Sequence, residues 1–161
     1  MPLWERQLNV LRCLNPAELL ISGPADLAYP ESVLVVRDPI PDCGPLGGIF
    51  ACLEAARSEL LLVLAVDLPA INPAYLESLV RAAAPARGIV PLLEDDLEPV
   101  AAIYPREAAP IARRFLAQRQ RSVRAFAREL ERLGLLQFQV VAPEDRRLFR
   151  NWNSPADVGS E

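Results

Sequence analysis

The stretch Leu60-Leu61-Leu62-Val63-Leu64-Ala65-Val66-Asp67-Leu68-Pro69 decides the fold class. Seven apolar residues run without a polar break and stop at a carboxylate. Period-2 alternation is absent, so both faces of the segment are expected to be covered. That is the pattern of a central strand in a parallel sheet between helix layers. Leu and Ala also suit helices, but the run is short for a helix and Pro69 would end one at once. Read as a strand, Leu60–Val66 delivers Asp67 to its carboxyl end, where open α/β sheets bind ligands. Asp67 is the first candidate functional residue.

Working outward, strand and helix signals alternate. Residues 3–14 carry an apolar helical face closed by Asn15-Pro16. Residues 18–22 and 32–36 read as short strands, with Asp38 just beyond the second. A loop rich in Pro and Gly follows, then a helix over 46–57 that leads into the opening strand. Downstream, Asn72 and Pro73 start a helix over 73–83 as its N-cap and first residue. Residues 88–92 and 99–104 read as strands able to pair as a hairpin around the acidic turn Glu94-Asp95-Asp96. Helices are expected over 108–118 and 122–133, the second capped by Ser122 and closed by Gly134. A last strand covers 135–141, and Asn151–Pro155 opens a short C-terminal helix. The alternation predicts an α/β fold with a Rossmann-like, three-layer arrangement: a mostly parallel sheet with helices on both faces. No repeat or linker divides the 161 residues, so a single domain is expected.

Composition narrows the chemistry. The chain has no His and no Lys; all seventeen cations are Arg. Imidazole metal sites, Ser-His and Cys-His nucleophiles, Schiff-base lysines and the P-loop lysine are excluded. Cys13, Cys43 and Cys52 are odd in number, lack C-x-x-C spacing and read as buried small hydrophobes. The net charge of −4 argues against nucleic acid as a partner. No apolar run approaches the ~20 residues of a membrane span. The first residues show no signal-peptide plan, which makes a cytoplasmic protein the default expectation.

Further features carry candidate chemistry. Asp42-Cys43-Gly44-Pro45-Leu46-Gly47-Gly48-Ile49 places three glycines and a proline at a helix entrance. Glycines admit close backbone approach, and free N–H groups at a helix start favour anions. A tight turn with close helix–sheet packing explains the same residues equally well. Asp67, beside Pro69, could bind Mg²⁺ through one oxygen, with the remaining ligands from water and substrate phosphates. Asp38 is either a second acceptor in the same crevice or a plain loop residue. Asn151 and Asn153 flank Trp152 and, read locally, cap a helix. Arg119, Arg121 and Arg124 surround a helix start and could clamp a phosphate, although a solvated basic face is the commoner meaning of such a cluster.

Taken in order, these features resemble a known family. The residues are Leu3-Trp4-Glu5-Arg6-Gln7, Leu20-Ile21-Ser22-Gly23, Asp38, Gly44-Pro45-Leu46-Gly47-Gly48-Ile49, Val66-Asp67-Leu68-Pro69 and Asn151-Trp152-Asn153-Ser154-Pro155. Together they resemble the molybdenum cofactor guanylyltransferases, within the wider nucleotidyltransferase group. The resemblance implies transfer of GMP from Mg-GTP to the phosphate of molybdopterin, with release of pyrophosphate. It implies Mg²⁺ as cofactor and GTP and molybdopterin as substrates. It implies that Asp67 binds the metal and that Asp38, Gly44, Pro45, Leu46, Gly47 and Gly48 lie beside the nucleotide. It sets Asn151, Asn153, Arg121 and Arg124 toward the molybdopterin. Molybdoenzyme chaperones and a second copy of the chain are further partners it leaves open. A cytidylyltransferase acting on the same cofactor, and a non-catalytic module binding molybdopterin, nucleotide or a partner protein, are the alternatives.

The chain also departs from that family. Members of it open with a strand and a loop of the form L-A-G-G-x-S-x-R-M-G-x-x-K, and Met1-Pro2-Leu3 aligns just downstream of this segment. Pro24 stands where the family often has Asn. In the family's sheet the first strand lies between the strands matching residues 18–22 and 60–66. The expectation is a domain truncated at its N-terminus, impaired in activity as it stands, with the native start upstream of Met1. Direct pairing of 18–22 with 60–66 would remove the need for a missing strand.

Overall fold

A computed structural model describes residues 1–24, 27–37 and 42–150. Asp38, Asn151 and Asn153 lie outside the described residues, as does the expected C-terminal helix. The elements follow in the order α1 (Leu3–Arg12), β1 (Leu20–Ser22), β2 (Leu34–Val36), α2 (Gly44–Ala55) and β3 (Leu60–Leu64). After them come α3 (Pro73–Ala82), β4 (Gly88–Leu93), β5 (Asp96–Leu97) and β6 (Ala101–Pro105). The helices α4 (Ala109–Ala117) and α5 (Val123–Arg132) and the strand β7 (Leu136–Val140) complete the fold. Their boundaries follow local chemistry. The Asn72 side chain accepts from the Tyr75 N–H and the Ser122 hydroxyl accepts from the Ala125 N–H, so both N-caps form. After α5, Gly134 takes φ +76°, and the Leu135 N–H reaches back to the Leu130 carbonyl.

The main sheet has five strands. One edge of β4 is paired along its length by β7, from Gly88 opposite Leu136 to Leu92 opposite Val140. Its other edge is shared by β6, at Ile89 opposite Ile103, and by β5. Beyond β6 lies β3, with Leu60 opposite Pro105 and Leu64 opposite Ala101. Helices lie on both faces, as expected, but the sheet is mixed and not mostly parallel. Only β4–β7 is parallel within it; β3–β6, β4–β6 and β4–β5 are antiparallel. The physical reason is the tight turn at Glu94-Asp95, which reverses the chain after β4 and returns β6 between β4 and β3. An unbroken apolar run reports cover on both faces and is silent about the direction of the neighbour.

The central strand is consequently β6, fully buried from Ala101 to Pro105. The opening run is its half-buried neighbour: β3 stops at Leu64, and Val66 is already 50 % exposed. Close approach of β4 and β6 depends on Gly88, where a Cβ would meet the Ile103 carbonyl oxygen at 2.1 Å. Alternate residues of the sheet feed two cores. On one face Val90, Ala102 and Tyr104 pack with Leu46 and Leu53 of α2, Phe115 of α4 and Phe126 and Leu130 of α5. On the other, Ile89, Ala101 and Ile103 pack with Leu68, Ile71 and Leu76 and Leu79 of α3. The buried Tyr104 hydroxyl donates to the Pro99 carbonyl at 2.6 Å. Of the cysteines, Cys43 is buried and Cys52 half-buried, but Cys13 is exposed at the end of α1, contrary to expectation. No helix among the described residues is long and apolar enough to cross a membrane.

The strands β1 and β2 form a separate parallel pair, Leu20 opposite Leu34 through Ser22 opposite Val36. Among the described residues β1 does not pair with β3.

Candidate functional site

The space between β1 and β3 is a groove of about 860 Å³. Residues Leu20–Ser22 form one wall and β3 with Ala65 and Val66 the other. Gln7, Leu8 and Leu11 of α1 and Gly44, Pro45 and Gly48 of α2 also line it. Glu18, just before β1, ties down one end: its Oε1 accepts from the Arg57 N–H at 2.7 Å, the Ser58 N–H at 3.0 Å and the Ser58 hydroxyl at 3.2 Å. Both groove strands thus begin at the same end. Desolvation raises the Glu18 pKa, but the bonds from Arg57 and Ser58 outweigh it and leave the carboxyl below its ordinary value.

The glycine-rich segment divides by side-chain direction. Gly44 takes φ +61°, which suits glycine, and opens α2. Cys43 at the N-cap makes no side-chain cap bond to the first turn of α2. The first turn therefore presents backbone donors without a competing side-chain cap. Gly44, Pro45 and Gly48 face the groove. Leu46 does not: it is wholly buried in the first core, and Gly47 is buried beside it. Only the backbone of these two could approach a nucleotide, because the helical period turns position 46 toward the sheet.

Asp67 sits three residues past the end of β3, half-buried, in a turn whose neighbours Ala65 and Val66 form the groove wall. The Ala65 N–H donates to the Val100 carbonyl at 2.8 Å, which brings the segment preceding β6 alongside. That segment carries Glu98, a residue the sequence reading passed over. Burial pushes the Glu98 carboxyl up; Arg124 and a hydrogen bond from the Val100 backbone oppose this, and the negative charges of Asp67 and Asp96 add to it. Asp67, Glu98 and Arg124 therefore share one electrostatic neighbourhood. The available signal was the Glu-Pro pair directly before a buried strand, a carboxylate held at the same sheet edge as Asp67.

Arg124 is engaged: its Nε and Nη2 grip the two oxygens of Asp96 at 2.7 and 2.9 Å. The pair is solvent-exposed, so it restrains the guanidinium without locking it. Arg121 is exposed just before α5. Asp38, Asn151 and Asn153 lie outside the described residues. A carboxylate such as that of Asp67 is the kind of hard oxygen donor that Mg²⁺ takes. Asp67 and Glu98 offer carboxylate oxygens, while no group of three or more such ligands occurs among the described residues. Mg²⁺ commonly takes one or two carboxylates and completes its shell with water and substrate phosphates.

The chain is similar to known proteins along most of its length. Residues 1–133 match the MobA-like NTP transferase domain. A probable molybdenum cofactor guanylyltransferase from Opitutus terrae is 36 % identical over 161 residues, spanning 98 % of this chain and 80 % of the relative. The molybdenum cofactor guanylyltransferase of Syntrophotalea carbinolica is 31 % identical over 143 residues, 86 % of this chain and 68 % of the relative. Among solved structures, molybdopterin-guanine dinucleotide biosynthesis protein A from Archaeoglobus fulgidus superposes with a TM-score of 0.60 at 27 % identity, covering 78 % of this chain and 64 % of that one. The 2-C-methyl-D-erythritol 4-phosphate cytidylyltransferase of Thermus thermophilus, at 20 % identity and a TM-score of 0.70, shares the fold over 97 % of this chain and 85 % of its own.

Proposed function

Because the chain belongs to the MobA-like NTP transferase family, we propose that it serves nucleotidyl transfer from GTP to molybdopterin, forming the guanine dinucleotide cofactor. The observation that carries this reading is the similarity to guanylyltransferases along almost the whole chain. The first turn of α2 and the residues just before Asp67, Ala65 and Val66, border the same groove.

In this reading a phosphate oxygen of molybdopterin attacks the α-phosphorus of GTP. The bond from that phosphorus to the bridging oxygen breaks, and pyrophosphate leaves with the electron pair. The substrate supplies the nucleophile, so the attack needs no protein nucleophile and is compatible with a chain that lacks His. Asp67 would hold Mg²⁺ through a carboxylate oxygen, with Glu98 at the same end of the sheet. The metal supplies charge neutralisation on the phosphates when bound. The backbone at Gly44–Gly48 would serve the nucleotide side, to which the resemblance also assigns Asp38. Arg124 and Arg121 would serve the molybdopterin side, to which the resemblance assigns Asn151 and Asn153, with Arg124 exchanging Asp96 for a phosphate. The protein works in the cytoplasm, where GTP is available, and hands its product to a molybdoenzyme or its chaperone.

The test is GTP binding by titration calorimetry, with and without Mg²⁺. Asp67→Asn is expected to abolish the Mg²⁺-dependent part while the circular dichroism spectrum is retained; unchanged binding refutes the role of Asp67. Failure of the protein to form guanine dinucleotide from Mg-GTP and molybdopterin refutes the reaction.

A further inference from the structure

We propose that Gln7 is a positioning residue for the Asp67 turn: its carboxamide clamps the backbone carbonyls on either side of Asp67 and so fixes where that carboxylate meets the Mg²⁺–nucleotide. The proposal rests on the reading of Asp67 as the cation-binding residue. Position 7 belongs to the apolar face of α1, one turn from Leu3 and Leu11, and the side chain is only 3 % exposed. A buried carboxamide is uncommon on such a face. Its Nε2 donates to the Ala65 carbonyl at 2.9 Å and to the Leu68 carbonyl at 2.8 Å, using both protons of the amide. These two carbonyls bracket Val66 and Asp67, and Ala65 already lies beyond the ladder of β3. The contacts join residues 58 and 61 positions apart, so they hold the turn from outside its own segment.

The orientation of the amide follows from chemistry. Turned over, it would set Oε1 against two carbonyl oxygens. With Nε2 on the turn, Oε1 is buried and has no hydrogen-bond partner among the described residues. Leu or Met would fill the same space without leaving an acceptor bare, so packing alone does not account for Gln here. Two donors on one planar group account for it. Asn carries the same donors one methylene short. Glu matches the shape but has no N–H to give. Gln7 also lines the groove, so the clamp connects the groove wall to the Asp67 turn.

The experiment is titration of the full chain with GTP, with and without Mg²⁺. The readout is the factor by which Mg²⁺ tightens GTP binding, with the melting temperature recorded in parallel. Gln7→Met is expected to reduce that factor about tenfold or more, the usual loss when the group orienting a metal ligand is removed. Metal-free GTP affinity is expected to stay within about twofold, and in an Asp67→Asn background Gln7→Met is expected to remove nothing further. Should Gln7→Met fold poorly, Gln7→Leu fills the same space without a donor and is expected to show the same selective loss. A lower melting temperature with the Mg²⁺ factor intact overturns the proposal, as does an equal loss of affinity with and without metal. Retention of the Mg²⁺ factor in Asp67→Asn, or its absence from the unsubstituted protein, overturns the Asp67 reading and this proposal together. Loss in Asp67→Asn but not in either Gln7 variant overturns the Gln7 proposal alone.

Discussion

The five-stranded sheet and the β1–β2 pair sit on opposite sides of one groove and are held together by different means. In the larger sheet, backbone ladders coincide with two filled cores. Its central strand β6 is buried throughout, and Phe126 stacks with Tyr104 at 5.7 Å and meets Phe115 edge-on at 5.8 Å. The smaller pair has three rungs, residues that are half-buried or exposed, and no ladder to its larger neighbour. One of its fastenings is a single carboxylate, Glu18, on the Arg57 and Ser58 amides. Ladder and core reinforce one another on one side of the groove; on the other, a few polar contacts carry a larger share. Local opening is expected to start where few apolar contacts support the backbone, at β1–β2.

The strongest way to break this contrast is inside the larger sheet. Phe126→Ala removes a wholly buried ring shared by α5, α4 and β6 and is expected to cost about 3–5 kcal/mol. Urea unfolding monitored by far-ultraviolet circular dichroism measures it, and a cost below 1 kcal/mol would show that this core is not the support described. Gly88→Ala acts on the ladder itself. The added methyl meets backbone, not a movable side chain, and the β4–β6 approach must open. A loss of about 1–3 kcal/mol is expected, as for other overpacked sites. Amide exchange at Ile89 and Ile103 should rise together, and unaltered exchange at both would contradict the close approach.

Much of this contrast was legible in the sequence, and the residues show why. Asn72 and Ser122 act through neighbours three residues away, so their capping is written locally. The run at 60–66 announced a covered strand with a carboxylate at its tip. It carried no information about which strand would lie beside it. The hairpin expected around the Glu94-Asp95 turn forms, but that β6 would lie on its other side against β3 emerges only from the fold. Arg124 was recognisable as a cation at a helix start, but its partner Asp96 is 28 residues away and emerges only from the fold. Glu98 and Gln7 were missed for one reason: each takes its meaning from the Asp67 turn, dozens of residues distant in the chain. Leu46 was drawn into the glycine motif by adjacency, whereas helical geometry sends its side chain into the core.

The smallest expected effect sharpens the contrast most. Glu18→Gln keeps the shape of the side chain and removes the charge that three donors share. Those bonds hold the folded-state pKa of Glu18 below its ordinary value despite opposing desolvation. The sign of the pH effect follows. The contribution is fully present above the unfolded-state pKa and is lost as pH falls through the lower folded-state value. Glu18 is largely solvated, so the loss should remain local to the smaller pair and leave global unfolding nearly unchanged. At neutral pH, Glu18→Gln should raise amide exchange in β1 and β2 about tenfold relative to β6. Acidifying the unsubstituted protein should raise that same ratio, and acidifying Glu18→Gln should leave it flat. Equal acceleration of β6 would mean that the two sheets open as one unit and that the groove is no mechanical boundary.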